Sequence, residues 1–192
     1  MRWLLLIICC ILFPFFLGYM LEVMRGRIPA PELENWGKLF MDGLKLLIVG
    51  LIYAIPVIIL AILLIGGSIL ALGARNPAIS MAAIGTIMLG MFLVFIVAII
   101  IGLFATIGYV RFARTDRFGE AFNFNAITAH IGRIGWVSYV LAIVLISVSM
   151  AIVNMIISLV PLLGGLINFI LLPAYGLFFA RYITLVYDSV PA

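Results

Sequence analysis

GYMLEVMRGRIPAPELENWGKLFMDGLK, residues 18–45, decides the fold, because it is a long wet stretch set between two apolar runs. It holds four carboxylates, Glu22, Glu32, Glu34 and Asp42, and four basic residues, Arg25, Arg27, Lys38 and Lys45. The runs on either side, residues 3–21 and 44–72, are almost uncharged. A charged island between such runs reads as a loop between two membrane spans.

The whole chain agrees. Of 192 residues, 67% are hydrophobic and 9% charged, with a mean hydropathy of +1.41. A soluble domain carries about 25% charged residues, so this surface needs lipid as its solvent. Further apolar runs cover residues 79–112, 134–160 and 166–186. Each reaches the roughly 20 residues that a span requires, which predicts five spans. Residues 44–72 and 79–112 exceed that length, so tilt or kinking at Pro56 takes up the excess. The alternative for the last two runs is one broken or re-entrant element, with the uncharged turn at residues 161–165 inside it. The first run lacks the small-residue cleavage site of a signal peptide, having Phe13-Pro14-Phe15-Phe16 where one should fall. Cys9 and Cys10 lie inside that run without metal-ligand spacing, which predicts a structural role.

Charge sets the expected orientation. With five spans, Arg25, Arg27, Lys38, Lys45, Arg111, Arg114, Arg117, Arg133 and Arg181 share one side, against Arg2 and Arg75 on the other. Basic loops stay in the cytoplasm. The expectation is a multi-pass protein of the cell membrane, amino terminus outside and carboxyl terminus cytoplasmic. The net charge of +4 then reflects insertion, and nucleic acid is not an expected partner.

Both cytoplasmic loops carry apolar residues at helical spacing. In the first these are Trp36, Phe40 and Leu44; in the second they are Phe124, Ile127, Ile131 and Ile134, followed by Trp136. Each predicts an amphipathic helix lying in the interface with aromatics at headgroup level. Each loop also comes after a Gly-Tyr pair, Gly18-Tyr19 and Gly108-Tyr109. The fold class predicted is therefore all-α: a polytopic transmembrane helix bundle of about five spans, with two interfacial amphipathic helices on the cytoplasmic side. It forms a single transmembrane domain over residues 1–192. A two-unit internal repeat, about 1–75 and 79–160, and a coincidental likeness of the two loops both remain open.

The run Gly18, Tyr19, Pro31, Glu32, Trp36, Phe40, Gly43, Lys45, Tyr53 and Pro56 resembles an uncharacterised prokaryotic integral membrane family, domain of unknown function 4013. Gly108-Tyr109 and Ala121-Phe122-Asn123-Phe124 fit the same pattern. The spacing Pro-Glu-Leu-Glu-Asn-Trp departs from it. The resemblance implies a membrane fold and brings no assigned activity.

Few residues carry chemistry. Asp42 and Lys45 share a helix face and read as an interfacial pair. His130, the sole histidine, has no ligand-spaced partner and reads as facing solvent or headgroups. Asn154 and Asn168 are the polar groups expected deepest in the last spans, with Ser147, Ser149 and Ser158 nearby. They join helices by hydrogen bonds or line a solute path. Asn76-Pro77-Ala78 matches the tripeptide of water channels, but it is single and reads as a turn. Ala78, Ala82, Thr86, Gly90, Ala98, Gly102 and Thr106 form a small-residue stripe, expected to pack against another helix of this chain or a second copy. No nucleophile has a base at a recognisable spacing, and there is no phosphate loop, so neither an enzyme nor a cofactor is expected.

Two functions fit these residues. The first is a non-enzymatic membrane protein whose Arg25, Arg27, Trp36, Lys38, Arg114 and Arg117 contact anionic headgroups or another membrane protein. The alternative is a transporter or channel for small solutes or lipids, with a polar path near Asn154 and Asn168.

Overall fold

A computed structural model describes residues 13–26, 35–72, 77–160 and 163–190. Arg2, Cys9, Cys10, Arg27, Pro31, Glu32, Glu34, Arg75, Asn76 and the start of the turn at 161–165 lie outside the described residues. Every element described is helical: α1 (Phe13–Met24), α2 (Trp36–Ala61), a wider π turn (Ile62–Gly66), α3 (Gly67–Ala71), α4 (Pro77–Thr115), α5 (Phe118–Ala121), α6 (Phe124–Ile134), α7 (Trp136–Ser158) and α8 (Gly164–Tyr187).

Four helical stretches are long and apolar enough to cross a membrane: Trp36–Ala71, Ala78–Thr115, Trp136–Ser158 and Gly164–Tyr187. With the shorter apolar α1 they make an all-α bundle of about five spans. The last two runs form two helices that pack on each other. The Tyr182 hydroxyl near the end of α8 donates to the Ala142 carbonyl near the start of α7 at 3.0 Å.

The first expected interfacial helix is not a separate element. Nothing between Trp36 and Lys45 breaks a helix, so the segment is the opening of α2. Helical geometry also continues through Pro56, and the departure from α geometry comes later, at Ile62–Gly66. The second expected helix does form. Asn123 caps α6 by accepting the Ala126 N–H at 3.2 Å, which satisfies one of the unpaired donors of its first turn. Gly135, at φ 93°, ends α6 and lets the chain turn into α7.

The chain divides into two compact units. One comprises Met1–Val49 and Thr106–Ala192 and contains the well-packed core. Leu21, Val49, Ile107, Val110, Phe112, Ile127, Ile131, Tyr139, Ile146 and Ile183 are buried there. α1 packs on α8, and α6 on α7. The other, Gly50–Ala105, holds the rest of α2, the π turn, α3 and most of α4. Its surface is apolar and open, with Ile62, Leu63, Leu70, Met81, Met88 and Phe95 all more than half exposed. Of the small-residue stripe, Gly90 is at a close approach: a β-carbon there would lie 3.3 Å from Leu64 Cβ and 3.2 Å from Ile65 Cγ1.

Candidate functional site

The charged end of the first unit is built on a glycine crossing. A β-carbon at Gly18 would collide with the Leu39 carbonyl, and one at Gly43 with the Pro14 carbonyl. Only paired glycines let α1 and α2 meet backbone to backbone here. The crossing brings Glu22, one turn on from Gly18, beside the first turns of α2. Aromatic packing supports it, since the Phe15 ring lies 5.7 Å from Trp36 and 5.3 Å from Phe40.

Arg25 is the centre of a charge network at this crossing. It sits in the turn after α1, where Gly26 adopts φ 77°. Its Nη1 donates to Glu22 Oε1 at 2.5 Å and to Asp42 Oδ2 at 2.6 Å, and its Nη2 to Asp116 Oδ1 at 3.1 Å. Lys38 donates to Glu22 Oε1 at 2.9 Å, and Lys45 lies 3.6 Å from Asp42 Oδ1. Three cations thus meet three carboxylates drawn from the ends of α1, α2 and α4. Glu22 and Asp42 are buried. A buried carboxylate without a cation carries a large desolvation penalty, so the network is the condition for their burial. Burial works against the charge on Arg25, but the hydrogen bond and charge of Asp42, with Glu22 and Asp116, outweigh it and raise its pKa. Asp116 itself adopts φ 56°, a left-handed conformation that short polar side chains tolerate best. There its N–H closes α4 on the Phe112 carbonyl at 2.8 Å.

A second tie uses Arg114. Its Nη2 reaches both Asp188 oxygens, at 2.8 and 2.6 Å. The same guanidinium covers Gly26, where a β-carbon would lie 2.7 Å from it. Arg111 donates to Glu120, which holds that carboxyl below its ordinary range. Every carboxylate among the described residues therefore has a basic partner.

His130 is buried, where a solvent- or headgroup-facing position was expected. It is only 3% exposed, with its ring stacked on Tyr187 at 4.0 Å and Nε2 3.0 Å from the Tyr187 carbonyl. The carbonyl can only accept, so Nε2 carries the proton. Asp42 is buried in the network, and its expected pairing with Lys45 is observed.

The residues expected to contact headgroups divide. Arg25 and Arg114 are turned onto carboxylates of the chain itself. Lys38 keeps half its side chain exposed while bound to Glu22. Arg117 is exposed and has no ion pair among the described residues. Trp36 is 39% exposed. Arg27 lies outside the described residues. The intramembrane amides are not brought together. Asn154 is exposed, with Oδ1 3.5 Å from the Ser158 hydroxyl, and Asn168 Oδ1 accepts the Tyr175 hydroxyl at 3.4 Å. Ser147 and Ser149 bond back to carbonyls of their own helix.

Sequence reasoning missed Glu22 and Asp116 as partners of Arg25, and the separate pairs of Glu120 with Arg111 and Asp188 with Arg114. One signal was present. All seven acidic residues fall in the same segments as the nine clustered basic ones, although the insertion rule that sorts lysine and arginine places no such demand on carboxylates.

A family model described as "Protein of unknown function (DUF4013)" matches residues 3–162. No curated protein and no solved structure matches the chain.

Proposed function

We propose that this chain, which belongs to the DUF4013 family, is a non-enzymatic multi-pass protein of the cell membrane whose basic and aromatic cytoplasmic face contacts anionic lipid headgroups. The observation that supports this reading is a recurring exposed couple. In sequence Trp36 lies two residues from Lys38, Phe118 next to Arg117 and Trp136 three residues from Arg133, all exposed. Aromatic rings settle at the headgroup level of a bilayer, and each basic residue near an anionic surface contributes about 1 kcal/mol. Arg25 and Arg114 hold the helix ends together beneath this face. The contact falls to the exposed Lys38 and Arg117.

The test is quenching of tryptophan fluorescence in the reconstituted protein by brominated lipids. Brominated phosphatidylglycerol should quench more than brominated phosphatidylcholine, and Lys38→Gln with Arg117→Gln should remove the difference. Equal quenching by both lipids in the unaltered protein would defeat the proposal and leave a protein partner as the occupant of this face.

A further inference from the structure

The docking of α6 offers a device independent of lipid contact. α6 buries Ile127, His130 and Ile131 and leaves Thr128, Arg133 and much of Phe124 outward. A buried histidine in the middle of a face otherwise made of isoleucine is an odd choice unless its chemistry is used. Its ring lies flat on Tyr187, and its one bonded nitrogen meets the last carbonyl of α8. Leucine would fill such a space without a polar group to satisfy.

We infer that His130 is a pH-sensitive lock, which holds α6 against the end of α8 while neutral and releases it when protonated. The neutral ring needs one acceptor, and the Tyr187 carbonyl supplies it. A second proton would place a full charge in a site that is 3% exposed. The surroundings add to the cost. Arg111 from α4 and Arg133 from α6 itself repel it, while Asp188 beyond α8 attracts it. Asp188 already serves Arg114. α7, which also packs on α6, has no charged residue; its titratable side chain at this end is the buried Tyr139. Burial first, then the two arginines, lower the proton affinity of His130, and together they outweigh the bond to the Tyr187 carbonyl and the charge of Asp188, which raise it.

Linkage gives the sign. A histidine whose pKa is depressed in the docked state favours docking fully above its free value, about 6.5. Docking weakens as pH falls through that value and levels off below the docked pKa. The loss is about tenfold for each pH unit separating the two values. Release would uncover Ile127 and Ile131, an apolar face on a mobile basic helix, beside the bilayer.

Hydrogen exchange of the full chain in detergent or nanodiscs, corrected for the intrinsic pH dependence, reads this directly. Protection of residues 124–134 should fall several-fold between pH 7.5 and 5.5, while residues 136–158 hold theirs. His130→Gln keeps an N–H donor without titrating and should stay protected at both pH values. His130→Arg should be unprotected at both. Should the arginine variant fail to fold, ring titration by NMR supplies the second measurement, since His130 is the sole histidine. Equal wild-type protection at both pH values, an undiminished response in His130→Gln, or a ring pKa at or above 6.5 would each overturn the lock.

Discussion

Arg25 and Asp42, 17 residues apart in sequence, meet at 2.6 Å through a guanidinium nitrogen that also binds Glu22. The contact lies over the crossing of α1 and α2, so the charge network and the glycine pair are two layers of one joint. Removing one partner of a buried ion pair costs about 3–5 kcal/mol, because the other is left uncompensated. Arg25→Gln strands Glu22 and Asp42 in part, with Lys38 and Lys45 still present. The expected loss is therefore toward the lower end, and it should appear as a clear drop in unfolding temperature in detergent. Arg117→Gln, which breaks no ion pair, should leave that temperature within a degree or two. Equal behaviour of the two variants would remove Arg25 from the centre of the joint.

The glycine layer makes a sharper prediction. Gly43→Ala places a methyl group on the Pro14 carbonyl, which is backbone and cannot swing aside. Overpacking a tight contact costs about 1–3 kcal/mol when the neighbour can yield, and here more is expected. Gly43→Ala should abolish the monodisperse folded species on size exclusion. Gly37→Ala, with no atom within 4 Å of its β-carbon, should leave it intact.

Within the second unit, Gly90→Leu should destabilise by about 1–3 kcal/mol by pressing on Leu64 and Ile65. Gly85→Leu, in open space, should be neutral in the same thermal assay. Indifference at Gly90 would mean that the close approach contributes nothing to folding.

Glu120 gives a pH dependence opposite in sense to that of His130 in its origin but alike in direction. Its pKa lies below the ordinary 4.5 because of its hydrogen bond to Arg111. Its contribution is complete above that ordinary value and is lost as pH falls below it. Wild type and Glu120→Gln should therefore differ in unfolding temperature at pH 7 and converge near pH 3. A constant gap across that range would assign the difference to something other than charge.

How much of this was legible in the sequence depends on what a pattern can encode. The spans were, because a run such as residues 79–110 has no charge that water could hold. α6 was legible from Phe124, Ile127, Ile131 and Ile134, yet the covering of its face was not. Periodicity says that Ile127 leaves water; it does not say whether lipid or protein receives it. The same gap hid His130, whose partner is a backbone carbonyl and so has no signature at all. The segment from Trp36 to Leu44 showed its helical spacing, but spacing alone cannot distinguish a separate surface helix from the first turns of α2. Arg25 with Asp116 joins residues 91 positions apart, and no local spacing encodes such a pair.

The two ties at the charged end differ in when they can close. Arg25, Glu22 and Asp42 are all made before the second unit begins, so the first joint can set while later spans are still being synthesised. The Arg114 tie waits for Asp188, which comes after α8. Biogenesis thus has an order written into it. The early helices can be clipped together before the last one is made, and the tie between Arg114 and Asp188 closes only after it. A chain stopped short of Asp188 would leave Arg114 without that partner over Gly26.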